Sequence, residues 1–201
     1  MRRAALLLAL LAGCSDDAAP PLPAGALKID RAGILRAGAA EASDPERLLA
    51  ARAAEGAVSV DVDADTPVDG VARLLVHAER AGLKSIAVGG VALRLGARPG
   101  SAAGGVPKPP EPESTATVED IRATARPARA ELHVLSLRPD PAKADALREA
   151  IAGLAPRLPS AVALVVESKR DGPWVRVAPL VAAASAALGE RVVRHEIAGA
   201  P

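Results

Sequence analysis

The chain has 201 residues, with 25 Lys and Arg against 24 Asp and Glu, no Phe, no Tyr and a single Trp. Near-zero net charge offers no field to draw nucleic acid, and the aromatic platforms on which single strands stack are missing. A core must be built from Ala, Val, Leu and Ile, and this length suits one medium domain or two small ones.

At the N-terminus Met1-Arg2-Arg3 precedes the apolar run Ala4 to Leu11. That run is too short to cross a bilayer as a helix but fits the apolar region of a secretory leader. Leu11-Ala12-Gly13-Cys14 then resembles the lipobox of bacterial lipoproteins. The resemblance implies that residues 1–13 are a leader, cut before Cys14, whose thiol takes a diacylglyceryl group, with palmitate as the expected label. An ordinary secretory leader that happens to carry a cysteine is the alternative. Two or three acyl chains, at about 0.8 kcal/mol per buried methylene, make detachment negligible. Removing Arg2 and Arg3 takes 25 cations to 23 against the same 24 carboxylates, a net charge near −1. Cys14 is the only cysteine, so no thiol remains for a disulfide or a metal cluster. By the sorting rule of enteric bacteria, Ser15 rather than Asp after the cysteine favours the outer membrane, with the protein facing the periplasm. Residues 14–25 are rich in Ala and Pro and read as a tether.

A first unit is expected over 26–95. Leu27 and Ile29 alternate with polar neighbours, Asp30 to Gly33 reads as a turn, and Ile34 to Arg36 returns as the second strand of a hairpin. Ser43 and Asp44 offer N-cap oxygens, Pro45 suits a first turn, Glu46 completes a capping box with Ser43, and Gly56 stops the helix. Val58, Val60 and Val62 alternate with Ser59, Asp61 and Asp63, which makes a strand with one apolar and one acidic face. Val68, Val71, Leu74, Leu75 and Ala78 form the stripe of a second helix, stopped by Gly82, and Ser85 to Val88 closes the unit. Strand, helix and strand in that order make a right-handed crossover with parallel strands.

Residues 96–127, with Pro107-Lys108-Pro109-Pro110-Glu111-Pro112, read as a Pro/Gly-rich linker that carries at most a short helix at Val118 to Ala125. A second unit over 128–198 repeats the theme, with strands at 131–137, 162–167 and 192–197 and helices at 140–154 and 177–188. Shifting by 106 places Pro67 on Pro173, Val71 on Val177, Leu74 on Leu180, Leu75 on Val181 and Ala78 on Ala184. This reads as an internal repeat, against chance likeness of two Ala-rich helices. Pro179 departs from it, because a proline there requires the helix to start near Ala178 or to kink. The expected fold class is α/β, of the α+β kind: two small units, each a mixed β-sheet with two helices.

The phrase Val60-Asp61-Val62-Asp63-Ala64-Asp65-Thr66-Pro67-Val68, followed by Ala81-Gly82-Leu83-Lys84-Ser85-Ile86-Ala87-Val88, resembles the periplasmic domain of the ExbD/TolR family of biopolymer transport proteins. Leu48 to Ala51 is similar to the family's first helix, and Pro173-Trp174 stands where the family has Pro-Tyr. The likeness covers roughly a third of the chain, and no motif in it is catalytic. Family members begin with a transmembrane helix bearing an aspartate that serves proton-driven work; here a leader and a lipid replace it. The resemblance therefore implies dimerisation and contact with an envelope protein or, in the TolR branch, with peptidoglycan, but not proton translocation.

No residue set demands a reaction, and no cofactor is expected. Asp61, Asp63 and Asp65 can share a hard cation such as calcium, but they lack the glycine and distal glutamate of an EF-hand loop. A solvated sheet face with helix-start carboxylates at Asp65 and Asp69 is the plainer reading. His77, His133 and His195 lack metal-ligand spacing, and Ser101, Ser114 and Ser136 lack a nucleophile elbow. Trp174 is the one large aromatic, and packing in a small-residue core competes with a role as an interface anchor. The expectation is a non-enzymatic, lipid-anchored interaction module with Trp174, Asp63 and Asp65 as candidate partner-binding residues and a homodimer as one assembly. A peptidoglycan-binding lipoprotein and an enzyme or metal site at the Asp61–Asp69 loop are the alternatives.

Overall fold

A computed structural model of the protein describes residues 23–99 and 111–200. The expected leader, Cys14 and most of the expected tether lie outside the described residues, as does the centre of the expected linker.

In the first unit, β1 (Leu27–Ile29), β2 (Leu35–Ala37) and β3 (Ala40–Glu41) form an antiparallel meander. Leu27 and Ile29 are buried while Lys28 between them is exposed, as a strand with one core face requires. The chain continues through α1 (Pro45–Glu55), β4 (Ser59–Val62), α2 (Val68–Arg80), β5 (Ser85–Val88) and β6 (Val91–Arg94). The strand order is β3-β2-β1-β4-β5-β6, with β1, β4 and β5 parallel. Asp44, not Ser43, caps α1, by accepting the Arg47 N–H at 3.0 Å. Strand β6 is an addition to the sequence reading. Gly89 and Gly90 both have positive φ, 57° and 81°, the backbone of a two-residue hairpin turn, so the chain folds back after β5 instead of leaving the unit.

In the second unit, β7 (Ser114–Val118) and β8 (Ile121–Arg126) lead into β9 (Glu131–Ser136), α3 (Ala144–Leu154), β10 (Val162–Lys169), α4 (Trp174–Leu188) and β11 (Val192–Ala200). The order is β11-β10-β9-β8-β7, with β9, β10 and β11 parallel. The mixed α/β class with two helices per sheet therefore holds. The linker expectation is corrected at its end: residues 114–126 are a hairpin, and no helix forms at 118–125. Thr115, Thr117 and Val118 are β-branched, and Ile121, Ala123 and Ala125 are buried at every second position, which is strand periodicity. Helix α4 is also corrected. It starts at Trp174, with Pro179 inside, and so forgoes the bond that the exposed Val175 would accept.

The repeat holds for the β-α-β cores and fails for the leading strands. The first unit runs outward from β1 to β3 before its helix, whereas the second runs inward from β7 to β9. The two units share one hydrophobic core. They meet at Pro67 and Pro173, which form an antiparallel bridge. The Val68 N–H donates to Gly172 O at 2.9 Å, and the Trp174 N–H donates to Thr66 O at 2.7 Å. Shifting by 106 residues exchanges these two bonds, so the units pair about a local two-fold axis. A second seam joins β6 to β11, where Leu95 bridges Arg194 and the Gly96 N–H donates to Val193 O at 3.2 Å.

Candidate functional site

The carboxylates singled out in the sequence do not converge. Asp61 and Asp65 are exposed, and Asp63 is ion-paired with Lys28 at 2.5 Å while its N–H donates to Thr66 Oγ1 at 2.9 Å. Thr66 is fully buried and donates in turn to Ile29 O at 2.9 Å, which ties the loop to the sheet. Asp69 is held by its N–H on Arg170 O. Among the described residues no group of three His, Cys, Asp or Glu is placed to hold a metal ion.

Trp174 is corrected as a surface anchor, because none of it is exposed. Its Nε1–H donates to Val88 O at 3.4 Å, and its ring lies against Gly89, so the largest side chain of the second unit packs into the β5–β6 turn of the first. A large apolar body gains most from leaving water, and its polar atom has found an acceptor. Asp63 and Asp65 are not its neighbours in any shared site that the hydrogen bonds or ion pairs define.

Of the histidines, His77 and His133 face Glu46 at 3.2 Å and Glu167 at 3.3 Å. His195 is buried at the β6–β11 seam. The Arg94 N–H donates to its Nδ1 at 2.8 Å, so the ring proton sits on Nε2 and is donated to Ser185 Oγ at 2.9 Å; that hydroxyl donates to Val181 O at 2.7 Å. Burial pushes its pKa down to about 4. Beside it, burial works to raise the Glu196 carboxyl, but hydrogen bonds from Arg98 and Arg194 outweigh this and hold it below the ordinary range. These residues fasten the two units together along the seam.

Among the described residues there is a cleft of about 490 Å³ at the carboxyl ends of β9 and β10. Asp120 comes from the β7–β8 turn, where its φ of 61° is left-handed; Arg138 to Lys143 come from the β9–α3 connection, and Arg176 from the first turn of α4. Lys143 is engaged by Glu119 at 3.2 Å, and Asp140 accepts the Ala142 N–H at 3.0 Å. The side chains of Arg138 and Arg176 make no ion pair or hydrogen bond among the described residues. Sequence reasoning passed over both, because a lone arginine after a strand carries no spacing signal until the strands are known to be neighbours.

No described helix is long and apolar enough to cross a membrane. No protein-family model, curated protein or solved structure matches the chain.

Proposed function

We propose that this chain is a lipid-anchored protein of the bacterial envelope that works as a non-enzymatic interaction module, related to ExbD/TolR biopolymer transport domains but without their proton-carrying helix. The observation that supports the reading best is the state of the sheet edges. The inner edges, β6 and β11, close against each other within one chain, so the pairing that the family resemblance implies between two copies is met internally. The outer edge of the second sheet, β7, has no strand beside it among the described residues. A free edge of five residues offers unpaired N–H and C=O groups on which an extended segment of a partner can add. Since Trp174 is buried, that edge takes over the role of contact surface.

Acyl chains on Cys14 hold this body at the membrane. Palmitate labelling of the wild-type chain and of Cys14→Ser tests the anchor; label in the wild type alone is expected, and an unlabelled, freely soluble wild type overturns it. Pull-down from detergent-solubilised envelopes tests the module. Reproducible capture that is lost with Thr117→Pro in β7, whose N–H points to the open edge, is expected, while co-sedimentation with purified peptidoglycan in the absence of any protein partner shifts the role to cell-wall binding.

A further inference from the structure

We infer that the cleft beyond β9 and β10 is a binding site for a carboxylate group of a peptide or amino acid, taken by Arg138 and Arg176. The site is independent of how the chain is anchored.

Two buried hydroxyls mark the ends of the strands that lead to the cleft. Ser136 and Ser168 sit opposite each other in register near the carboxyl ends of β9 and β10. By strand alternation they lie on the face of Leu132, Val134, Leu164 and Val166, and both are fully buried. Neither hydroxyl has a hydrogen-bond partner. Folded proteins keep few such groups. With no exposed surface and no place in the lining, they are out of reach of a ligand in the cleft and mark only where the strands end.

From that end the chain turns directly into the cleft. Arg138 is two residues beyond Ser136, and Arg176 stands on the first turn of the helix that follows β10. Among the described residues both guanidiniums are without a partner, so a ligand displaces no ion pair made there. Their backbones are also fixed in advance. Pro139 and Pro141 restrict the Arg138 loop, Asp140 caps it, and buried Trp174 pins the start of α4. Little order remains to be imposed on binding.

The charges select the ligand class. Two parallel N–H donors of an arginine fork match a planar carboxylate. Asp120 and Asp140 also line the cleft, and Lys143 is already taken by Glu119, so a singly charged anion is tolerated better than doubly charged phosphate. Leu137 and Val175, the chain neighbours of the two arginines, are 54% and 41% exposed. They offer apolar surface to the residue that carries the carboxylate.

The test is calorimetric titration of the full chain, purified in detergent at low salt, with alanylalanine, with its C-terminal amide and with inorganic phosphate. Saturable binding of the dipeptide is expected, with none for the amide. The double variant Arg138→Gln/Arg176→Gln, both exposed positions, is expected to bind about tenfold or more weakly at unchanged melting temperature. Ser136→Ala and Ser168→Ala are expected to leave the ligand-free protein as stable or more so, because each removes an unsatisfied group. Failure of the dipeptide to bind, equal binding of the amide, or an unchanged Kd in the double variant overturns the site. Binding of phosphate in place of the dipeptide overturns the carboxylate assignment.

Discussion

The Arg94 backbone N–H donates to Nδ1 of His195 across 101 positions of the chain, so a strand of one unit is fastened to a buried imidazole of the other. The bond exists only while Nδ1 is unprotonated. The pKa of His195 is about 4 in the fold, against 6.5 for the free side chain, so the unfolded chain binds the proton more readily. Its contribution is complete above pH about 6.5 and is lost as pH falls toward about 4, to the extent of about 3 kcal/mol. Thermal unfolding followed from pH 7.5 to pH 4 is expected to show this decline. His195→Gln, which keeps an acceptor and a donor but does not titrate, is expected to flatten it.

Trp174 makes the second prediction. Truncation of a fully buried indole costs about 3–5 kcal/mol, so Trp174→Ala is expected to lower the denaturant midpoint sharply, and Trp174→Phe to lower it less. The chain has one Trp and no Tyr, so its emission reports this junction alone. Because the ring lies between the units, its red shift is expected to coincide with the loss of helical circular dichroism in a single transition. Two separated transitions would mean that the units unfold independently.

Gly96 tests the other seam. A Cβ added there collides with Val193 O, a backbone atom that cannot swing aside. Gly96→Ala is expected to cost about 1–3 kcal/mol, as overpacking does. It should also weaken the pH dependence of stability between pH 6.5 and 4, since the Arg94–His195 bond lies in the same seam. A melting temperature equal to that of the wild type would count against the seam.

Asp63 and Asp65 are expected to be nearly silent for stability. The Lys28–Asp63 pair has both side chains a third or more exposed, and such pairs are worth less than about 1 kcal/mol. Asp63→Ala should therefore shift the unfolding free energy by less than that, and Asp65→Ala by less still. Calcium is expected to raise the melting temperature of neither the wild type nor the variants, and a calcium-dependent rise lost in Asp63→Ala would restore the metal reading of this loop.

Much of the fold was legible locally. The stripe Val68, Val71, Leu74, Leu75 and Ala78 is the buried face of α2, and the shift of 106 residues that superposes it on α4 also relates the backbone bonds around Pro67 and Pro173. Strands with strict alternation, such as Leu27 to Ile29, were equally clear. The hairpin at 114–126 was hidden by the Pro-rich run before it, and by the small size of Ala116, Ala123 and Ala125, which weakens the contrast between faces. The cleft was not legible at all. Arg138 and Arg176 become one place only when β9 and β10 lie side by side.

By itself the amino-acid sequence determined the elements: each helix and most strands follow from side chains a few positions apart, whose periodicity decides which face leaves water. Only the tertiary structure decided how they are used. It buried Trp174 and His195 between the units, closed β6 on β11, and left Arg138 and Arg176 unpaired among the described residues. Those outcomes depend on backbone groups and side chains up to about a hundred residues apart, whose complementarity no local pattern carries.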